Sequence, residues 1–305
     1  MKYAILMLAF ACLFGLSSVI QADIVLTQKS SIVTMGMGTS MISTTMKIKG
    51  DMNYTQMLTT PGTMAGMPGG GESQEMENII INRLDKGVMW ILTPQAKLYN
   101  EMKFEELKAI TAGATQESSP DEADKYEWLF DVDNPTEATI NEYKCKGLRS
   151  VATGVSKTDE TDRIRITYEL WMGQNLPGGK ELANHFEKFS ELSGQDKMAH
   201  ADMAKQMFRN VGPQFAKLAE AVSELKGFPV KLIMSIETGA GSGTDADGND
   251  PQAMMQRIQS MRGGGEVSED GMQVMMSVTT MLTSIEEVAV DGAIFEIPEG
   301  YSAGF

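Results

Sequence analysis

The segment Arg163–Met172 reads RIRITYELWM, and its apolar and polar residues alternate strictly through Leu170. Ile164, Ile166, Tyr168 and Leu170 fall on one face of an extended chain, and Arg163, Arg165, Thr167 and Glu169 on the other. Successive side chains of a strand point to opposite faces, so the pattern predicts a strand buried on one side and wet on the other. A sheet that is solvated on one face is of the antiparallel kind. Val230–Glu237 repeats the pattern, with Val230, Leu232, Met234 and Ile236 lining one face.

Similar signals run through the N-terminal half. A first strand region holds Ile24, Leu26, Ile32 and Met35. Met46 and Ile48 alternate with lysines up to Gly50-Asp51, and Met52 and Tyr54 alternate on the return, which is a hairpin signature. Short strands are expected at Asn78–Leu84, Val88–Leu92, Lys97–Glu101, Tyr126–Val132, Ala138–Lys144, Leu148–Thr153 and Ala293–Ile297, with one long or broken strand within Gln273–Ala289. Helical spacing appears at Phe104–Ile110 and at Lys180–Leu192, where Leu182, Phe186 and Phe189 form the stripe. It continues at Asp196–Val211 and from Pro213 to about Leu225, and these stripes are expected to face a core. Gly-rich, aperiodic loops are expected at about 59–75 and 238–265. Strands run first and resume after the helices, so the fold class is α+β: a curved, mostly antiparallel sheet with helices packed on one face.

Residues 1–22 begin with Lys2, continue through an apolar run from Tyr3 to Leu16, and end in small and polar residues before Ala22. That is the layout of a cleaved signal peptide, and it places the chain in the periplasm or outside the cell. Cleavage leaves residues 23–305, expected as one domain with a helical insert at about 180–225. The Tyr3–Leu16 apolar run is shorter than the roughly 20 residues that span a bilayer, and no second candidate span follows. Loss of Lys2 leaves 25 basic against 41 acidic residues, a net charge of −16. So acidic a chain is repelled by nucleic acid and by anionic headgroups. Cys145 is then the one remaining cysteine, so no internal disulfide forms and stability has to come from a core. The 25 methionines suit an irregular core or an adaptable apolar groove.

Motifs for chemistry are weak. Asp245–Asp250 has oxygen ligands at alternate positions but lacks the glycine and glutamate of a calcium loop. Gly239–Gly243 lacks the lysine of a phosphate loop, and no Gly-x-Ser-x-Gly elbow is present. His185 and His200 fall on helices, where a polar surface position is the default, and Glu286-Glu287 reads as solvated charge. No catalytic residue, metal or cofactor is expected.

Four stretches carry a resemblance: LTPQAKLYNEM at 92–102, Leu170-Trp171 with Leu176-Pro177-Gly178, LKGFPVK at 225–231, and FEIPEGY at 295–301. In this order they resemble a bacterial family of exported proteins, the domain-of-unknown-function family 4412. That family is similar in turn to the LolA/LolB lipoprotein-carrier superfamily. The resemblance implies an incomplete antiparallel barrel with helices closing a concave side, where the carriers hold acyl chains. The expected function is therefore a non-enzymatic binder or carrier of a lipid or lipoprotein acyl chain. The alternative is an envelope interaction module with a filled core and an envelope protein as partner. The candidate cavity lining is Ile164, Ile166, Tyr168, Leu170, Leu232 and Met234.

Overall fold

The computed structural model describes residues 23–35, 38–62, 74–113, 125–133, 135–194, 218, 221–222, 224–239 and 272–304. The expected signal peptide, the Asp245–Asp250 loop, the 196–211 helix, His200 and most of both Gly-rich loops lie outside these residues. Strands are β1 (Ile24–Thr34), β2 (Gly38–Lys49), β3 (Met52–Thr60), β4 (Met76–Arg83), β5 (Val88–Thr93) and β6 (Leu98–Lys103), then β7 (Tyr126–Val132), β8 (Thr136–Ile140), β9 (Tyr143–Ser156), β10 (Arg163–Gly173), β11 (Phe228–Thr238), β12 (Gln273–Glu287) and β13 (Ser302–Ala303). Helix α1 is Phe104–Gly113, α2 is Gly179–Ser193, and a 3-10 turn occupies Gly292–Phe295.

All the strands belong to one sheet, in the order β13-β6-β5-β4-β3-β2-β1-β12-β11-β10-β9-β7, with β8 also on β9. Every pairing is antiparallel except β13 on β6. The chain therefore folds as the α+β class expected, a mostly antiparallel sheet whose described edges stay apart.

The sheet curves strongly. Asn141 Nδ2, in the turn between β8 and β9, donates to the Leu282 carbonyl of β12 at 3.0 Å, although β10 and β11 lie between those strands in the sheet order. Extra residues in the ladders help to bend it. The register of β10 on β11 shifts between Trp171 and Met172, leaving Val230 over, and β1 on β12 shifts between Thr27 and Gln28. A bulge sharpens local twist and bend.

Alternation places the core. Ile166, Tyr168, Leu170 and Leu232 pack with Leu148, Ala152, Leu218, Val222 and Leu225, while Ile24, Leu26, Ile48 and Leu282 pack against Leu182 and Phe186 of α2. The opposite face of β10 and β11 carries the ion pairs Arg165–Glu237 and Glu169–Lys231, at 3.2 and 2.8 Å. A third cluster holds Ile79, Ile81, Trp90 and Leu92 under Val290 and Phe295 of the C-terminal segment.

Three local expectations need correction. Ala138–Lys144 is two strands, because Asn141 takes φ +56° and turns the chain between Ile140 and Tyr143. Asparagine tolerates that left-handed conformation better than most residues. Ala293–Ile297 is no strand: the Asp291 side chain accepts from the Ala293 amide at 3.0 Å and starts the 3-10 turn instead. Residues 59–60 belong to β3 rather than to the following loop. The short β13 was not legible in sequence, since two residues carry no period.

Candidate functional site

The site lies where β10 ends, β11 begins and α2 crosses above them. A chain leaving β10 at Gly173 passes Leu176-Pro177-Gly178 and enters α2 at once. The helix has no side-chain cap at its start. Gly178 sits there with φ +60°, and Glu287 at the end of β12 reaches over so that one of its carboxylate oxygens accepts from the Gly178 amide at 2.6 Å. A carboxylate at a helix start satisfies an orphan donor and complements the helix dipole. At the other end Gly194, with φ +70°, donates to the Ser190 carbonyl and stops the helix.

The buried residues of α2 are Leu182, His185, Ser190 and Ser193, with Phe186 and Phe189 partly covered. His185 is thus a core residue rather than a surface one. It sits three residues after Leu182 and four before Phe189, and that spacing is the signal that its polarity masks. Its Nδ1 lies 3.1 Å from the Gly50 carbonyl in the β2–β3 turn, and Lys188 pairs with Asp51 of the same turn at 2.6 Å. Desolvation by burial pushes the His185 imidazole below its ordinary range, although the Gly50 carbonyl and Asp51 pull the other way.

Between the first two turns of α2 and the strand ends lies a cavity of about 800 Å³. It is lined by Leu170 and Met172 of β10, Leu176 and Gly178 of the connection that follows, Phe228 and Pro229 of β11, and Leu182 and Phe186 of α2. Val222 lines it as well. Phe186 and Phe228 stack with centroids 6.0 Å apart and ring planes 27° apart. Polar groups gather at the rim: Asn175, Lys180, Glu181, Glu187 and Glu287.

The two strand ends meet very closely there. A Cβ on Gly227, whose φ is +123°, would lie 2.1 Å from the Gly173 carbonyl oxygen. Only glycine allows both that backbone conformation and that approach.

Of the six candidate lining residues, Leu170 lines this cavity. Ile166, Tyr168 and Leu232 are buried in the core beside it, Ile164 packs on that core partly covered, and Met234 is buried opposite Tyr168 in the register. Burial pushes the Tyr168 phenol well above its ordinary range, so it stays protonated. Cys145 is buried and its thiol is pushed up by desolvation. Among the described residues no group of three His, Cys, Asp or Glu side chains is placed to hold a metal ion, and no described helix is long and apolar enough to cross a membrane.

The residues missed by alternation are Met172, Leu176, Phe186, Phe228 and Glu287. Two of the four resembling motifs, around Leu176-Pro177-Gly178 and Gly227-Phe228-Pro229, turn out to be the cavity walls. They are strand ends and turns, which is why no period marks them.

No family model and no curated protein matches the chain. Two solved structures align along most of it. One is a domain from Vibrio parahaemolyticus described as an outer membrane lipoprotein-sorting protein, at 8% identity and TM-score 0.25, covering 90% of this chain and 89% of that one. The other is a LolA superfamily protein from Nitrosomonas europaea, at 7% identity and TM-score 0.24, covering 91% of each. Overlap this loose transfers no ligand and no partner to this chain.

Proposed function

We propose that the protein binds and carries an apolar ligand, a lipid or acyl chain, in the cavity under α2, acting in the periplasm by binding rather than by catalysis. The observation that carries this reading is the cavity itself. Its volume of about 800 Å³ falls within the range of about 300–1,000 Å³ typical of ligand pockets. Its walls are Leu, Met, Phe, Val and Pro, with polar groups kept to the rim. Such walls reward the burial of a hydrocarbon chain by about 0.8 kcal/mol for each methylene removed from water. The long, adaptable Met172 and the stacked Phe186–Phe228 pair suit chains of variable shape.

The test is gentle native mass spectrometry of protein purified from its own host, followed by organic extraction of what is bound. A reproducible adduct of lipid mass, recovered in the extract, is expected. A clean apo mass, together with no uptake of added acyl chains, overturns the reading and favours the alternative of an envelope interaction module.

A further inference from the structure

We infer that α2 is a proton-operated latch: uptake of a proton by His185 undocks the helix from the β2–β3 turn and opens the cavity beside it. The release of ligand that this implies rests on the binding reading above. His185 is 3% exposed, and its Nδ1 lies 3.1 Å from the Gly50 carbonyl of that turn. The next residue of the helix, Phe186, lines the cavity and stacks on Phe228, so a shift of α2 at His185 reaches the cavity directly. Leu182, one turn earlier, is buried and lines it too. These two dock by apolar contacts that no change of pH alters. A polar ring between them costs desolvation that a leucine would avoid. What it adds is titration near neutrality. Among the described residues, Asp51 faces it from the turn and favours the imidazolium, and Lys188 faces it from its own helix and opposes it. Asp51 and Lys188 also pair with each other at 2.6 Å. Glu181 stands one turn earlier on the helix. Helix α1, packed on α2, meets it through Phe104 against Phe189 and through the Lys108 stem beside Gly194. Desolvation outweighs these charges and holds the docked imidazole neutral. Once undocked, the ring takes a proton near its ordinary pKa of about 6.5. Docking is therefore complete above that pH and weakens as the pH falls from there through the docked value, because the undocked state binds the proton first. Between pH 7.5 and pH 5.5 the undocked state gains by at most about tenfold.

The experiment follows native-state hydrogen exchange of the purified protein at pH 7.5 and 5.5, without ligand and corrected for the intrinsic exchange rate at each pH. In the wild type the opening constant of α2 is expected to rise by up to about tenfold at the lower pH, while that of β4 and β5 stays unchanged. His185→Gln, whose amide can still donate to the Gly50 carbonyl, is expected to lose the rise. Asp51→Asn removes the group that favours the docked imidazolium, so the rise should keep its onset near pH 6.5 and become larger below it; this variant decides the matter if His185→Gln does not fold. Absence of the rise, its persistence in His185→Gln, its equal spread over β4 and β5, or its removal by His200→Gln instead overturns the latch. The release step is read with dodecyl maltoside, whose charge does not change with pH, by surface plasmon resonance below its micelle concentration. Its dissociation rate is expected to rise by the same factor in the wild type and to stay constant in His185→Gln. An opening that leaves this rate unchanged overturns the release step. A probe that never binds overturns the cavity reading, and exchange at α2 still decides the latch.

Discussion

A single methyl group placed at Gly227 or at Gly178 separates two kinds of cost at the cavity wall. Both glycines have positive φ, +123° and +60°, so an alanine at either pays about 1–2 kcal/mol for the left-handed backbone. Their surroundings differ. The new Cβ at Gly178 would come 2.6 Å from Cγ1 and 2.7 Å from Cδ1 of Ile24, a buried side chain rather than backbone. Moving it off its rotamer adds about 1 kcal/mol, for a total near 2–3 kcal/mol. At Gly227 the neighbour is the Gly173 carbonyl oxygen at 2.1 Å, and that oxygen belongs to the backbone of β10. It cannot yield without disturbing the Gly173–Phe228 pairing. Overpacking of this kind adds about 1–3 kcal/mol, so Gly227→Ala is expected to cost about 4 kcal/mol. Urea unfolding followed by circular dichroism reads both. With an m-value of about 3 kcal/mol/M, Gly227→Ala moves the midpoint down by more than 1 M and Gly178→Ala by less. A Gly227→Ala variant as stable as the wild type, or more stable than Gly178→Ala, would refute the close approach of the two strand ends that shapes the cavity.

Other outcomes follow from the same geometry. Leu170→Ala and Ile166→Ala each remove a buried side chain and are expected to cost about 2–5 kcal/mol; only Leu170→Ala should also change the affinity for a twelve-carbon probe, and equal effects of the two on binding would contradict the placement of the cavity. His185 is held neutral by burial, so its folded pKa lies below its unfolded value of about 6.5. Its contribution is complete above that pH, and is lost as the pH falls from there through the folded value, because the unfolded chain takes the proton first. Urea midpoints measured from pH 7.5 to pH 5 should fall less steeply for His185→Gln than for the wild type, and an unchanged slope would deny the burial. The Cys145 thiol, buried and pushed up, is expected to resist a thiol reagent at neutral pH until urea unfolds the protein; labelling within minutes of the native chain would place it at the surface.

The strands that alternate were legible in the sequence because one buried face and one wet face leave a period of two. Arg163–Met172 and Val230–Glu237 lie within β10 and β11 as that period predicts, and Lys180–Leu192 lies within α2 by its stripe of three and four. The cavity was legible only in part. Its lining residue Leu170 lies on an alternating face, but its walls are built where alternation stops: at the Val230 bulge, at Leu176-Pro177-Gly178, and at Gly227. A period says which face of a strand is buried and is silent on what two broken strand ends do when they meet. His185 was misplaced because a polar residue type outweighed its position on the stripe. Glu287 was misplaced because its role depends on Gly178, 109 residues earlier in the chain, and that contact exists only after the sheet has curved.

The central claim is that an apolar chain occupies the space between α2 and the ends of β10 and β11. The most direct measurement is photocrosslinking of the purified protein with an alkyl probe bearing a diazirine at the chain terminus, read by peptide mass spectrometry. The account predicts adducts concentrated at Leu170–Phe186 and Val222–Pro229, competed away by excess unlabelled chain and lost when Ala183 is replaced by tryptophan. Adducts spread over the exposed strands, or unaffected by the competitor, would contradict it.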